Sequence, residues 1–219
     1  MTKSYTAEVL VLSKTKLGES DLILTLLSSE DGQLRAVTKG ARKPGAKLCG
    51  ISEPFNVFAG KFHKGKSLDI CTEAKAIEAY AGVRSDYDRL MVGSIALELA
   101  AQVTNDGDSI PRLYAMTRTF LDVLGTADEE ILPTLLAAYL LKVNAMIGYS
   151  PEHELCARNA RLSYLFQSTF STIRTEGAAE DTTGDNKRAR VADVRQVMNF
   201  TEKHLPANLK SLSYYRKSL

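Results

Sequence analysis

The spacing of apolar residues changes near residue 80. Before it the period is two. Tyr5–Leu12 alternates, with Val9 and Val11 on one side. Asp21–Leu27 is a Leu/Ile-rich run bounded by Gly18-Glu19-Ser20 and by Ser28–Gly32. Glu30-Asp31-Gly32 supplies a turn, because Asp bonds its own backbone and Gly accepts a positive φ. Gln33–Lys39 reads as the partner strand, with Leu34, Ala36 and Thr38 facing away from Arg35, Val37 and Lys39. Phe55–Phe62 and Leu68–Thr72 form a further pair across His63-Lys64-Gly65-Lys66. Five short strands in about 70 residues predict a small closed or partly open barrel.

From Ser85 the period becomes about 3.6 residues. Leu90, Ile95, Leu97, Leu99 and Val103 mark a first helix, with Ser85 or Asp86 as its cap. A second starts at Pro111, runs through Leu113, Met116, Phe120, Leu121 and Leu124, and ends at Gly125, with Pro in front and Gly behind. A third is capped by Asp128, carries Ile131 to Ile147, closes at Gly148, and is apolar nearly all round, as the central helix of a bundle would be. Arg161–Arg174 fits either helix or strand. Thr175–Lys187 reads as an exposed polar loop. Ala189–His204 is an amphipathic helix, and Leu209–Leu219 a short basic tail.

Composition adds limits. The chain has 219 residues, 44% hydrophobic and 25% charged, which excludes collagenous, fibrous and wholly disordered classes. The first twelve residues lack the long uncharged stretch of a secretory signal. The most apolar window, Ile131–Leu141, is too short to span a bilayer. Three cysteines (Cys49, Cys71, Cys156), an odd and widely spaced set, imply no disulfide framework and point to a reducing cytoplasm.

The net charge of +2 hides an uneven distribution. Residues 1–80 carry +3, residues 81–155 carry −6 and residues 156–219 carry +5. Two basic ends flank an acidic middle, which points to modules with separate partners. Between Gln33 and Lys66 stand Arg35, Lys39, Arg42, Lys43, Lys47, Lys61, Lys64 and Lys66, against the single acid Glu53. One reading is phosphate contact by closely spaced cations; the other is a solvated hairpin with solubilising lysines. Tyr5, Phe55, Phe58 and Phe62 offer either base-stacking platforms or core. A second cluster holds Lys187, Arg188, Arg190, Arg195, Lys203, Lys210, Arg216 and Lys217, and it serves a DNA path, a partner's carboxylate or solubility alone.

Catalytic signatures are missing. The three histidines are far apart in sequence. There is no Gly-x-Ser-x-Gly elbow, Walker loop or His-Glu-x-x-His. Asp86/Asp88 and Asp106/Asp108 sit where helix capping explains them. Only Cys156 lies near a histidine, His153, and no second ligand pair follows, so no metal is expected.

Three pieces, Leu17-Gly18-Glu19-Ser20-Asp21, Asp31-Gly32-Gln33-Leu34 and Lys39-Gly40-Ala41-Arg42-Lys43, in this order and spacing, resemble the N-terminal pattern of the bacterial RecO family. Glu53-Pro54-Phe55 and Leu68–Glu73 continue it. Gly148-Tyr149-Ser150-Pro151 followed by Cys156 resembles the family's Gly-Tyr-x-Pro…Cys junction, and Leu209-Lys210-Ser211 its C-terminal Leu-Lys-Ser element. The resemblance implies an α+β protein: a five-stranded OB-fold barrel over residues 1–80, then an all-α helical domain over 81–219. It implies a recombination mediator in DNA repair, not an enzyme, that binds single- and double-stranded DNA and anneals complementary strands. It further implies binding of the C-terminal tail of single-stranded-DNA-binding protein, and action with RecR in loading RecA onto coated strands.

Arg35, Lys39, Arg42, Lys43 and Lys47 fall in the family's basic strand and loop, and Lys64 and Lys66 extend the set of expected DNA contacts. Lys187, Arg188, Arg190 and Lys210 form a possible second basic site. Many members carry a four-cysteine zinc module after the junction, where this chain has Cys156 alone. Residues 150–187 therefore read as a degenerate, zinc-free module, and no cofactor is expected. A cytoplasmic, nucleoid-associated location follows, with no membrane partner. A non-catalytic scaffold whose barrel binds protein, and an enzyme acting on nucleic acid, remain the competing classes.

Overall fold

In the computed structural model, the structure describes residues 4–30, 32–105, 110–179, 184–205 and 208–219. Asp31 of the expected turn, and the Asp106/Asp108 pair, lie outside them. The described residues form two compact units, Met1–Tyr80 with Ala100–Ala115, and Ala81–Leu99 with Met116–Leu219.

The first unit is the expected barrel. Its strands are β1 (Ser4–Leu17), β2 (Asp21–Ser28), β3 (Gly32–Thr38), β4 (Val57–His63) and β5 (Asp69–Glu78). They close in the order β1-β2-β3-β5-β4. β1 is long enough to pair with both neighbours: Ser4–Leu10 lies against β4 and Val9–Leu17 against β2. β3 runs parallel to β5, with Ala36 opposite Asp69 and Thr38 opposite Cys71. Alternation fills the interior with Val9, Val11, Leu22, Leu24, Leu26, Leu34, Ala36, Phe58 and Phe62. Gln33 donates its amide to the carbonyls of Ala101 and Thr104 at 3.0 and 2.9 Å, which ties residues 100–115 to this unit.

The second unit is helical. α1 (Ala81–Arg84) is a single turn. α2 (Tyr87–Val103) and α3 (Pro111–Leu124) follow, each contributing residues to both units. Next come α4 (Leu132–Met146), the short α5 (Pro151–Glu154), α6 (Ala160–Gln167), α7 (Phe170–Ala179), α8 (Gly184–His204) and α9 (Lys210–Ser218). Asp86 caps α2 by accepting from Arg89 N–H at 2.9 Å. α4 is buried on nearly every face and packs against α6, α7 and α8. Tyr139 on α4 stacks near Phe120, with centroids 4.5 Å apart, and shares its hydroxyl with Thr117 at 2.9 Å.

Several local readings need correction. Phe55 lies before β4, in a turn with φ 72°, rather than on the strand. Asp128 does not cap α4: it stands before a 3-10 turn over Glu129–Ile131, where it makes no side-chain capping bond, and Ile131 is the residue that precedes α4. Arg161–Arg174 is two helices separated at Ser168-Thr169. The polar segment read as a loop is largely helical, since α7 reaches Ala179 and α8 starts at Gly184. The basic tail is α9, whose Leu209 flank, Leu212 and Tyr215 are buried.

Candidate nucleic-acid interface

The expected DNA contacts sit on two loops and one strand. Arg35 projects outward from β3, opposite Thr25, and is exposed. Its interior-facing neighbours Leu34 and Ala36 are buried, as the period of two requires. Lys39, Arg42, Lys43 and Lys47 lie in the segment that leaves β3, and all four are exposed. Lys64 and Lys66 lie in the turn that leads into β5. Since Asp69 is opposite Ala36 in a parallel ladder, that turn enters the sheet level with Arg35. Lys39 lies four residues, about 13 Å, beyond Arg35, just past the end of β3. The outward face of β3 between the two loops carries Val37, which pairs with Ile23 on one side and Ile70 on the other. All three are half-buried, and sequence periodicity in one strand could not show that they form a row across three.

The cations differ in how far they are neutralised. Lys64 lies 3.4 Å from the buried carboxylate of Asp69, over the Tyr5 ring at 5.1 Å. Lys61 pairs with Glu73 at 3.3 Å. Lys14, which the sequence reading did not include, pairs with Glu53, the one acid within the basic stretch. Arg35, Lys39, Arg42, Lys43, Lys47 and Lys66 have no ion pair among the described residues. Six cations without an ion pair among the described residues thus lie on β3 and in the segments that follow β3 and precede β5, and two of them, Lys39 and Lys43, feel the Asp21 carboxylate.

The loop after β3 is tied down. Asp21 Oδ1 accepts Gly40 N–H at 2.7 Å. Arg42 N–H donates to Ser20 O at 2.8 Å and its guanidinium to Gly18 O at 3.1 Å. Gly40 has φ 65°, a left-handed conformation in which a side chain is strained. The Gly40 N–H bond, opposed by burial and reinforced by Ser20, Lys39 and Lys43, holds the Asp21 carboxyl below the usual carboxylate range.

The aromatic candidates are core. Phe55, Phe58 and Phe62 are buried, and half-buried Tyr5 hydrogen-bonds Asp69 and stacks on Phe62 at 5.5 Å. Stacking on exposed barrel aromatics is therefore not what this face offers.

The second basic set differs in burial. Lys187 and Arg188 are exposed on α8, but Arg190 is buried and donates to the Glu130 carbonyl at 3.3 Å. Lys187 and Arg190 line a cavity of about 370 Å³ with Asp88, Glu129, Glu130 and Tyr215. Lys210 starts α9, whereas Tyr215 and Ser218 of that helix reach the cavity. Arg190 also lines a second cavity of about 380 Å³ with Arg161, Tyr164, Leu165 and Ile173.

The segment around Cys156 does not fit zinc. Among the described residues, no three His, Cys, Asp or Glu side chains gather as a metal needs. Asn159, where another ligand would stand, caps α6 by accepting from Arg161 and Leu162 N–H, and it donates to Asp193 at 2.9 Å. Lys142 reaches across from α4 to the carbonyls of Leu165 and Phe166 at the end of α6. Burial pushes the Lys142 ammonium below its ordinary pKa, and the neighbouring Cys156 opposes that. Polar bonds close this module.

Comparison with known proteins bears on the same two parts of the chain. A family model described as "Recombination protein O N terminal" matches residues 1–80, and one described as "Recombination protein O C terminal" matches residues 84–184. The chain belongs to the RecO family. Its RecO relatives include the DNA repair protein RecO of Gloeobacter violaceus, 31% identical over 73% of this chain and 61% of that one. The protein of the same name from Pelotomaculum thermopropionicum is 32% identical over 71% and 59%. That from a Nocardioides species is 34% identical over 73% and 66%. The matched part thus spans about three fifths to two thirds of these RecO chains. Among the described residues no helix is long and apolar enough to cross a membrane.

Proposed function

We propose that this RecO-family DNA repair and recombination protein binds single- and double-stranded DNA on the outward face of β3 and anneals complementary strands there. The carrying observation is the set of six cations without ion pairs on β3 and its two flanking loops. Two complementary strands repel each other, and a multi-cation surface lowers that repulsion while leaving base edges free. The half-buried row Ile23, Val37 and Ile70 gives bases an apolar surface without a hydrogen-bonding code, so binding has little sequence preference. The role is that of a non-catalytic mediator in the cytoplasm at the nucleoid, acting with RecR to load RecA onto coated strands. For the C-terminal tail of single-stranded-DNA-binding protein the helical unit offers one cavity where Arg190 and Arg161, the latter paired with Asp193 at 2.9 Å, meet Leu165, Ile173 and Glu176. An anionic, apolar peptide end needs that pairing of charge and apolar wall.

The test is annealing of protein-coated complementary strands. Replacing Arg42 and Lys43 together with Ala lowers annealing and strand binding about tenfold, with an unchanged circular dichroism spectrum. Full annealing by the double variant moves the DNA site elsewhere. Failure of the unaltered protein to shift DNA at low salt favours the protein-binding scaffold.

A further inference from the structure

Asp21 is an acid placed against the most basic loop of the chain. A carboxylate beside Lys39 and Lys43 opposes the approach of a polyanion, so ligand contact does not account for it. Backbone contact does. Its Oδ1 accepts Gly40 N–H at 2.7 Å and is braced by the Ser20 hydroxyl at 3.1 Å. Gly40 is the residue at which the chain turns out of β3 in a left-handed conformation, φ 65°. Three residues on, Lys43 N–H closes that turn on Gly40 O at 3.0 Å. The remaining bonds from the β1–β2 turn to this loop use the main-chain carbonyls of Gly18 and Ser20. Among the described residues, the Asp21 bond is the one made by a side-chain acceptor.

We propose that Asp21 is a positioning residue for DNA binding: it clamps the Gly40 amide, so that Lys39, Arg42 and Lys43 are fixed before a strand arrives. This rests on the DNA-binding reading of the loop. A loop ordered beforehand loses little backbone freedom on binding, so its cations contribute their attraction without that cost. The carboxylate's repulsion is the smaller effect, because salt and solvent screen it.

Charge and hydrogen bond separate by substitution. Asp21→Asn keeps an oxygen acceptor of the same reach and removes the charge. Asp21→Ala removes both. Asp21→Glu keeps the charge and displaces the acceptor by one methylene. Two readouts apply to the full chain: hydrogen exchange of the Gly40 amide in free protein, and anisotropy of a labelled oligothymidylate. Asp21→Ala raises Gly40 exchange at least about tenfold and weakens oligonucleotide binding roughly five- to tenfold. Asp21→Asn keeps slow exchange and binds as well as the parent, or up to about threefold more tightly at low salt. Asp21→Glu, the variant to use should Asp21→Ala not fold, weakens binding despite its retained charge.

The proposal is overturned if Asp21→Ala, or Asp21→Glu in its place, binds normally, if Gly40 exchange is unmoved, or if Asp21→Asn is as weak as Asp21→Ala. A parent protein that ignores the oligonucleotide overturns the DNA reading itself, and an Arg42/Lys43 variant that binds it normally overturns the assignment of DNA binding to this loop. Gly40 exchange then still reports whether the clamp exists.

Discussion

Gly60 faces the barrel interior opposite Ala7, and a Cβ there would lie 2.6 Å from the Phe62 ring. Phe55 shows the reverse situation, a large side chain at φ 72° with its ring only 3% exposed. The left-handed backbone costs about 1–3 kcal/mol, and burial of the ring offsets it. Its N–H donates to Val11 O at 3.1 Å, a contact between segments far apart in sequence. That is why a local pattern read Phe55 as strand. Burial also separates the three thiols. Cys71 is buried, and desolvation, opposed by a bond to the Glu73 carbonyl, pushes it up to about 11. Burial first, then the Glu152 charge, pushes Cys156 up, with Lys142 opposing. A raised thiol stays protonated at pH 8 and unreactive. Cys49 is exposed. Titration of the folded protein at pH 8 with an aromatic disulfide reagent modifies Cys49 alone; unfolding releases the other two. Rapid reaction of Cys71 in native protein would contradict its place in the barrel.

Among the elements, α9 was the least legible. Its sequence is polar and basic, and its apolar positions are too few to announce a helix. What starts it is Glu98 on α2, whose carboxylate accepts from Lys210 and Ser211 N–H at 2.8 Å each. The Leu-Lys-Ser element is therefore a capped helix start with Leu209 buried before it. A carboxylate at a helix N-terminus satisfies orphan amides and meets the positive end of the helix dipole. Glu98→Ala is expected to cost about 1–2 kcal/mol, read as a lower urea midpoint. Glu98→Gln, which still accepts, loses less. Equal loss for both would assign the effect to charge alone. The strands were far easier to read, because alternating burial writes itself into each one. Their ends were not: β1 runs to Leu17 because β2 continues its ladder, and β5 to Glu78 because β4 does.

For the molecule as a whole, the uneven charge distribution becomes a surface only after folding. Lys14 and Glu53 are distant in sequence and adjacent in space, so the one acid of the basic stretch is neutralised. Lys64 is discounted in the same way by Asp69. The six remaining cations predict a salt dependence. Neutralising six phosphates gives log K against log salt a slope of about −4 for single strands. Anisotropy titrations from low to moderate salt check it, and a flat response rules out this interface. Core packing sets the stability of the helical unit. Phe120 is fully buried and meets Tyr139 and Phe170, with ring centroids 4.5 and 5.3 Å apart. Phe120→Ala is expected to cost about 3–5 kcal/mol, measured by urea unfolding.

Sequence alone determined the change of period near residue 80, the five strands, the main helices and the set of basic residues available. These follow from local geometry, since alternation and helical repeat are properties of neighbouring positions. Tertiary structure decided which of the described cations lie in ion pairs, that the candidate aromatics are core, that Arg190 is buried, and that Asp21 grips the basic loop. Each of these depends on side chains brought together from distant parts of the chain, and no periodicity records such a meeting.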